Sequence, residues 1–381
     1  MRVLLSPDSF KGSLSAEAVA RAMAVGVRRV DPNAGIDLLP MADGGEGSAQ
    51  LLTRALGGSW RALWVNGADG TAVCAGVGWI GAKNMAVLDV ASVCGLNQIA
   101  PDQRDVWRFD TRGVGELIRA ALDWGAQTLL IGLGGSGTND AGAGLLFALG
   151  AVFFDAESRP LAPTPLGLAQ LDRVEMTGLD PRLQAVDLVV LTDVDNPLLG
   201  LAGASRVFGP QKGLMPRDMA PMDARLALIA QKMAAARPLF AAPDAPGMGA
   251  AGGLGFALCA VLGGKPISGS RYLAELLGLD AAIARADLVL TGEGAIDSQT
   301  ARGKVVAEVA RRAGVMTTPV ICIAGRVLSS PEAIAQMGLW GAFSLCTREV
   351  GIDEALSRAE ALIADRTAQA IRAWQAAAGA S

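Results

Sequence analysis

Five short loops, each rich in glycine or small polar residues, carry the side chains of this sequence best suited to chemistry. They are Asp8-Ser9-Phe10-Lys11-Gly12-Ser13, Asp43-Gly44-Gly45-Glu46-Gly47, Gly132-Leu133-Gly134-Gly135-Ser136-Gly137-Thr138-Asn139-Asp140, Thr192-Asp193-Val194-Asp195-Asn196 and Gly292-Glu293-Gly294-Ala295-Ile296-Asp297-Ser298-Gln299-Thr300. The third offers backbone amides to an anion, with a helix start just behind it, and its Ser136 and Thr138 hydroxyls suit phosphate. It also matches G-x-G-x-x-G through Gly132, Gly134 and Gly137. A nicotinamide-dependent dehydrogenase is therefore a second reading, with Asp155 near the place of the ribose ligand, about twenty positions on. Lys11 lies in a strand-to-helix loop, where a mobile ammonium can reach a transferring phosphoryl group. Asp193 and Asp195 follow an apolar strand and can act as a general base or hold Mg²⁺ through oxygen. The P-loop signature is absent, since none of the six lysines is followed by Ser or Thr.

Histidine is missing from all 381 residues. That removes Ser-His-Asp and Cys-His nucleophile systems, histidine-ligated zinc and histidine general bases together. A net charge of −4, with one Tyr, nine Phe and seven Trp, argues against a nucleic-acid surface or a base-stacking platform. The five cysteines form no C-x-x-C pair and sit in apolar runs, as buried free thiols of a reducing compartment do. The apolar start Val3-Leu4-Leu5 is too short for a signal peptide. The charge-free run 245–264 contains seven glycines and Pro246, which makes a poor membrane span. The expectation is a cytoplasmic protein with neither a membrane nor a nucleic-acid partner.

Loops of this kind need strands to present them, and 51% hydrophobic residues over this length supply cores for two domains. Strand-like runs at 2–6 and 36–40, followed by helices from Ser15 and over 48–56, read as βα units. From residue 59 the pattern changes. Runs at 59–65, 72–79 and 85–90, joined by short Asn, Asp and Gly loops, read as antiparallel hairpins. A helix over 115–124, a strand at 128–131, a helix over 142–149 and a strand at 187–192 follow. Strands at 287–291, 319–324 and 341–345, alternating with helices over 300–313, 331–337 and 353–378, return to the first rhythm. The expected fold is α/β: a Rossmann-like, doubly wound domain formed by residues 1–58 and 285–381, with a mixed α/β domain, 59–284, inserted. In such sheets, loops at the carboxyl ends of the strands line the ligand crevice.

Asp8–Ser15, Pro40–Gly47, Gly132–Gly144, Asp193–Leu198, Val207–Gly213 and Gly292–Thr300 resemble, in order and over nearly the whole chain, the signature blocks of the type I glycerate kinases. The resemblance implies transfer of the γ-phosphoryl of ATP to D-glycerate with Mg²⁺, giving 2-phosphoglycerate, in a cleft between two domains of a monomer or homodimer. Phosphoryl transfer relies on positioning and charge neutralisation, so a histidine-free chain suits it. Loop position and charge then assign Gly134, Gly135, Ser136, Gly137, Thr138 and Asn139 to ATP. They assign Lys11 to the transferred group and Asp193 to the attacking hydroxyl. Asp8, Ser9, Asp43, Gly44, Gly45, Glu46, Glu293 and Asp297 are assigned to substrate, and Asp195 and Asp140 to the cation. Ser136-Gly137-Thr138 stands where the family commonly has Ser-Ala-Thr, and Ala295 where it usually has Arg. A non-catalytic binder of sugar acids is the third reading.

Overall fold

Short runs of Val, Leu and Ile form the central strands of a computed structural model that describes residues 1–10, 12–297 and 304–378. The chain divides into two units, Met1–Asp43 with Ser268–Ser381, and Gly44–Ile267.

In the first unit the strands Arg2–Leu5, Gly35–Leu38, Leu288–Ile296, Val320–Val327 and Gly341–Ser344 make one wholly parallel sheet. Numbered along the chain within the unit, their spatial order is 2-1-3-4-5. This is a doubly wound order, and its switch point lies between Arg2–Leu5 and Leu288–Ile296. Side chains alternate across the pleat. Val3, Leu5, Leu288, Leu290, Ile321 and Ile323 join a core with Val19, Met23, Ile363 and Ile371 of the helices Ala16–Arg28 and Ala359–Ala378. Ser15 caps the first of these helices, its Oγ accepting from Ala18 N at 3.3 Å. Helix Val305–Val315 packs against Leu288–Ile296 and Val320–Val327.

The second unit is a six-stranded mixed sheet in the order Lys265–Ile267, Asp187–Leu191, Thr128–Gly132, Met85–Asp89, Ala72–Ile80, Ser59–Asn66. The expected hairpins are present: the last three strands are antiparallel, while the first four run parallel. Edge strand Lys265–Ile267 and the separate pair Val152–Phe154 and Arg173–Glu175 lie outside the sequence expectation. The charge-free run folds into tight turns and a fully buried π-helical segment, Phe256–Val261. No helix among the described residues is long and apolar enough to cross a membrane.

The unit boundaries differ from 58/59 and 284/285, for packing reasons. Helix Ser48–Ala55 lies on Ala72–Ile80 and Met85–Asp89, and Ala49 N donates to the Asp89 carboxylate at 3.0 Å. It therefore belongs with the inserted unit. Helices Gly269–Leu276 and Leu279–Ile283 pack on Val305–Val315, with Arg312 donating to Asp280 at 2.8 Å, so the first unit resumes at Ser268. The expected helix 353–378 is two helices, Ile352–Ser357 and Ala359–Ala378, and of the expected 300–313 helix residues 300–303 lie outside the described residues. Three thiols (Cys94, Cys259, Cys322) are buried; Cys346 is half-buried and Cys74 is exposed.

Candidate active site

At the switch point of the first unit, the chain beyond Leu5 continues beside the strand across from it. Ser6 N donates to Leu290 O and Asp8 N to Gly292 O, both at 2.8 Å, and Met41 N donates to Pro7 O at 2.8 Å. These bonds draw the Asp8, Asp43 and Glu293 segments to one sheet edge. A cavity of about 340 Å³ opens there, lined by Asp8, Ser9, Asp43, Glu293 and Asp297 among others. That volume suits a small molecule. Lys304 and Arg326, on which the sequence reading placed nothing, line the same cavity. The segment Gly292–Ile296, expected as loop, continues its strand, held in parallel register against Val320–Val327. The cavity thus combines carboxylates, which accept from hydroxyl groups, with two cations, which meet a carboxylate.

The second unit holds most of the other expected residues. Thr128–Gly132 and Asp187–Leu191 are parallel neighbours, so their two following loops leave the same sheet edge side by side. Asp193 is half-buried and Asp195 exposed. The glycine loop after Gly132 is pressed against Gly44 and Gly45. A Cβ on Gly132 would meet Gly44 O at 2.3 Å, and one on Gly134 would meet Gly45 Cα at 2.5 Å. Only glycine permits these approaches.

Several amides expected to face an anion are engaged within the protein. Gly134 N donates to Gly44 O at 3.3 Å and Gly137 N to Cys94 O at 2.7 Å. Gly135 is exposed and Gly134 half-buried, whereas Ser136, Gly137, Thr138 and Asn139 are buried. Thr138 and Asn139 turn into the unit, Asn139 Nδ2 donating to Ser205 Oγ at 3.1 Å. The accessible part of the loop contracts to Gly134 and Gly135.

The cation assignment of Asp140 is corrected. It is fully buried, and its carboxylate accepts from Thr111 N, Thr111 Oγ1, Gly142 N and Gly144 N at 2.8–3.0 Å. Burial raises its pKa to about 6. It fastens the loop to the helix behind it. Gly44 and Gly45 serve as packing surface, and Glu46 accepts from Asn97 Nδ2 at 2.8 Å; all three belong to the second unit, and none of them lines the cavity that contains Asp43. Lys11 lies outside the described residues, as do Ser298, Gln299 and Thr300.

Asp155 removes support from the dehydrogenase reading. It follows Val152–Phe154 of the two-stranded antiparallel sheet and accepts from Arg159 N at 2.8 Å and Arg159 Nε at 2.7 Å. A ribose ligand requires a parallel strand beside the glycine loop.

Lys212 is the functional candidate the sequence reading passed over. Its buried ammonium donates to Ser136 Oγ at 3.0 Å and to Thr138 O at 2.8 Å, from beneath the glycine loop. Desolvation lowers its pKa to about 8, against the opposing pull of Cys94 and Asp140. The rarity of lysine, six in the chain, was the available signal. Asp193 and Asp195 supply only oxygen, and a hard cation such as Mg²⁺ takes that donor chemistry.

Residues 3–375 match the model of the glycerate kinase family. A Bacillus subtilis protein named "Glycerate kinase" is 41% identical over 98% of this chain and 97% of its own length. An Escherichia coli K12 protein named "Glycerate 2-kinase" is 41% identical over 93% of each chain. A crystal structure from Salmonella typhimurium LT2, described as a glycerate kinase 2, superposes with a TM-score of 0.81 at 40% identity, covering 100% of this chain and 99% of its own.

Proposed function

The chain belongs to the glycerate kinase family, and from that premise we propose that it transfers the γ-phosphoryl group of ATP to the 2-hydroxyl of D-glycerate. The observation that carries the acceptor side is the first-unit cavity, where carboxylates and two cations suit a small molecule that is both polyol and carboxylate. The name of the Escherichia coli relative supports attack by the 2-hydroxyl. On the donor side, the Gly134–Ser136 turn, with the Lys212 ammonium beneath it, receives the phosphates. Lys11 neutralises the group in flight. Asp193 orients the attacking hydroxyl and accepts its proton. Asp195 supplies the oxygen through which Mg²⁺, when bound, would neutralise phosphate charge.

The test is ATP consumption with D-glycerate, followed by phosphorus NMR of the product. A resonance of 2-phosphoglycerate is expected. Phosphorylation at the 3-hydroxyl would overturn the regiochemistry, and absence of ADP formation would overturn the reaction itself.

A further inference from the structure

Glu293 and Ala295 alternate along strand Leu288–Ile296, so both face the first-unit cavity, which Asp297, just beyond the strand, also lines. On the adjacent parallel strand, Arg326 is the register partner of Ala295 and lines the same cavity. In-register neighbours of a parallel pair project side by side. Ala295 ends at Cβ, so no long side chain from its register position competes with the Arg326 guanidinium. Among the described residues the Arg326 guanidinium makes no hydrogen bond or ion pair, although four carboxylates, Asp8, Asp43, Glu293 and Asp297, line the cavity with it. Those carboxylates repel an anionic ligand and accept from hydroxyls. A planar guanidinium, by contrast, receives a carboxylate through two parallel hydrogen bonds.

We propose that Arg326 is the carboxylate anchor of this cavity and makes it selective for hydroxy acids over uncharged polyols. The proposal rests on the reading of this cavity as the acceptor site and assigns the residue that recognises the acid group. Lys304, also on the cavity wall, adds charge without the bidentate geometry. Because Ala295 and Arg326 stand side by side, a guanidinium sent from either strand reaches the same space.

Binding of D-glycerate and of D-glyceramide, its uncharged amide, is measured by calorimetry, and KM values by coupled assay, for wild type, Arg326→Ala, Arg326→Lys and the double variant Arg326→Ala with Ala295→Arg. Loss of a charge-assisted hydrogen-bonded pair predicts about a 10- to 100-fold weaker D-glycerate affinity for Arg326→Ala. KM for ATP should stay within about twofold, and affinity for the amide should change little. Arg326→Lys should recover part of the loss, and the double variant most of it. An unchanged D-glycerate affinity in Arg326→Ala overturns the proposal, as does an equal loss for acid and amide. So does failure of the double variant to recover while its melting temperature matches wild type. Should the wild type bind D-glycerate in an Arg326-dependent way without consuming ATP, the kinase reading falls and the anchor stands.

Discussion

Asp193 occupies the second position beyond strand Asp187–Leu191 and is half-buried. Asp193→Asn keeps the shape and an accepting oxygen but cannot take the proton. The kcat should fall about 10²–10⁴-fold with nucleotide affinity near normal. Retention of more than about a tenth of wild-type kcat would remove Asp193 from the role. Exposed Asp195 should behave differently. In Asp195→Asn, raised Mg²⁺ or added Mn²⁺ should restore much of the lost rate, a rescue that Asp193→Asn does not show. A rescue seen in both variants, or in neither, would overturn this division of labour.

The glycine loop works as part of an element pair, clamped between the Gly44-Gly45 turn on one side and Lys212 on the other. Gly134→Ala places a Cβ 2.5 Å from a backbone carbon, which must then move. A loss of about 1–3 kcal/mol in urea unfolding is expected, with KM for ATP raised more than KM for D-glycerate. Lys212 has a signature of its own in pH. Its pKa is about 8 folded against 10.5 in the reference state. Between those values the unfolded chain holds a proton that the folded chain has shed, so stability rises with pH across the window. The stability of wild type relative to Lys212→Met should therefore increase from pH 8 to pH 10.5; a flat difference would mean that the ammonium is not desolvated as described. Periodicity and turn chemistry made the βα units and the hairpins readable, because both signals are local. The register of Ala295 against Arg326 joins residues 31 apart through a strand extension, and Lys212 meets Ser136 across 76 positions. Neither pairing leaves a mark on nearby sequence. Thr138, Asn139 and Asp140 misled for the converse reason, since polar residues beside glycine look the same whether they face ligand or fasten the loop from inside.

At the scale of the molecule, transfer requires both ligands at once, so D-glycerate and MgATP together should raise the melting temperature more than the larger single shift. Equality with that larger shift would count against simultaneous binding. Continuity also distinguishes the two units, because Gly44–Ile267 is one uninterrupted stretch with its own core. Produced alone, it should give a cooperative urea transition; a broad, non-cooperative signal would show that it depends on the remainder of the chain. The pairing of Val3 with Leu288 has a further consequence on the ribosome. At about 5–20 residues per second, the first strand emerges tens of seconds before its second partner, Leu288–Ile296, exists. Throughout that interval Val3, Leu4 and Leu5 can pair only with Gly35–Leu38, and their other edge has no partner on the nascent chain. The inserted unit has meanwhile had time to fold, and the open edge of the amino-terminal strand is the natural target for a chaperone that guards the chain until synthesis passes residue 288.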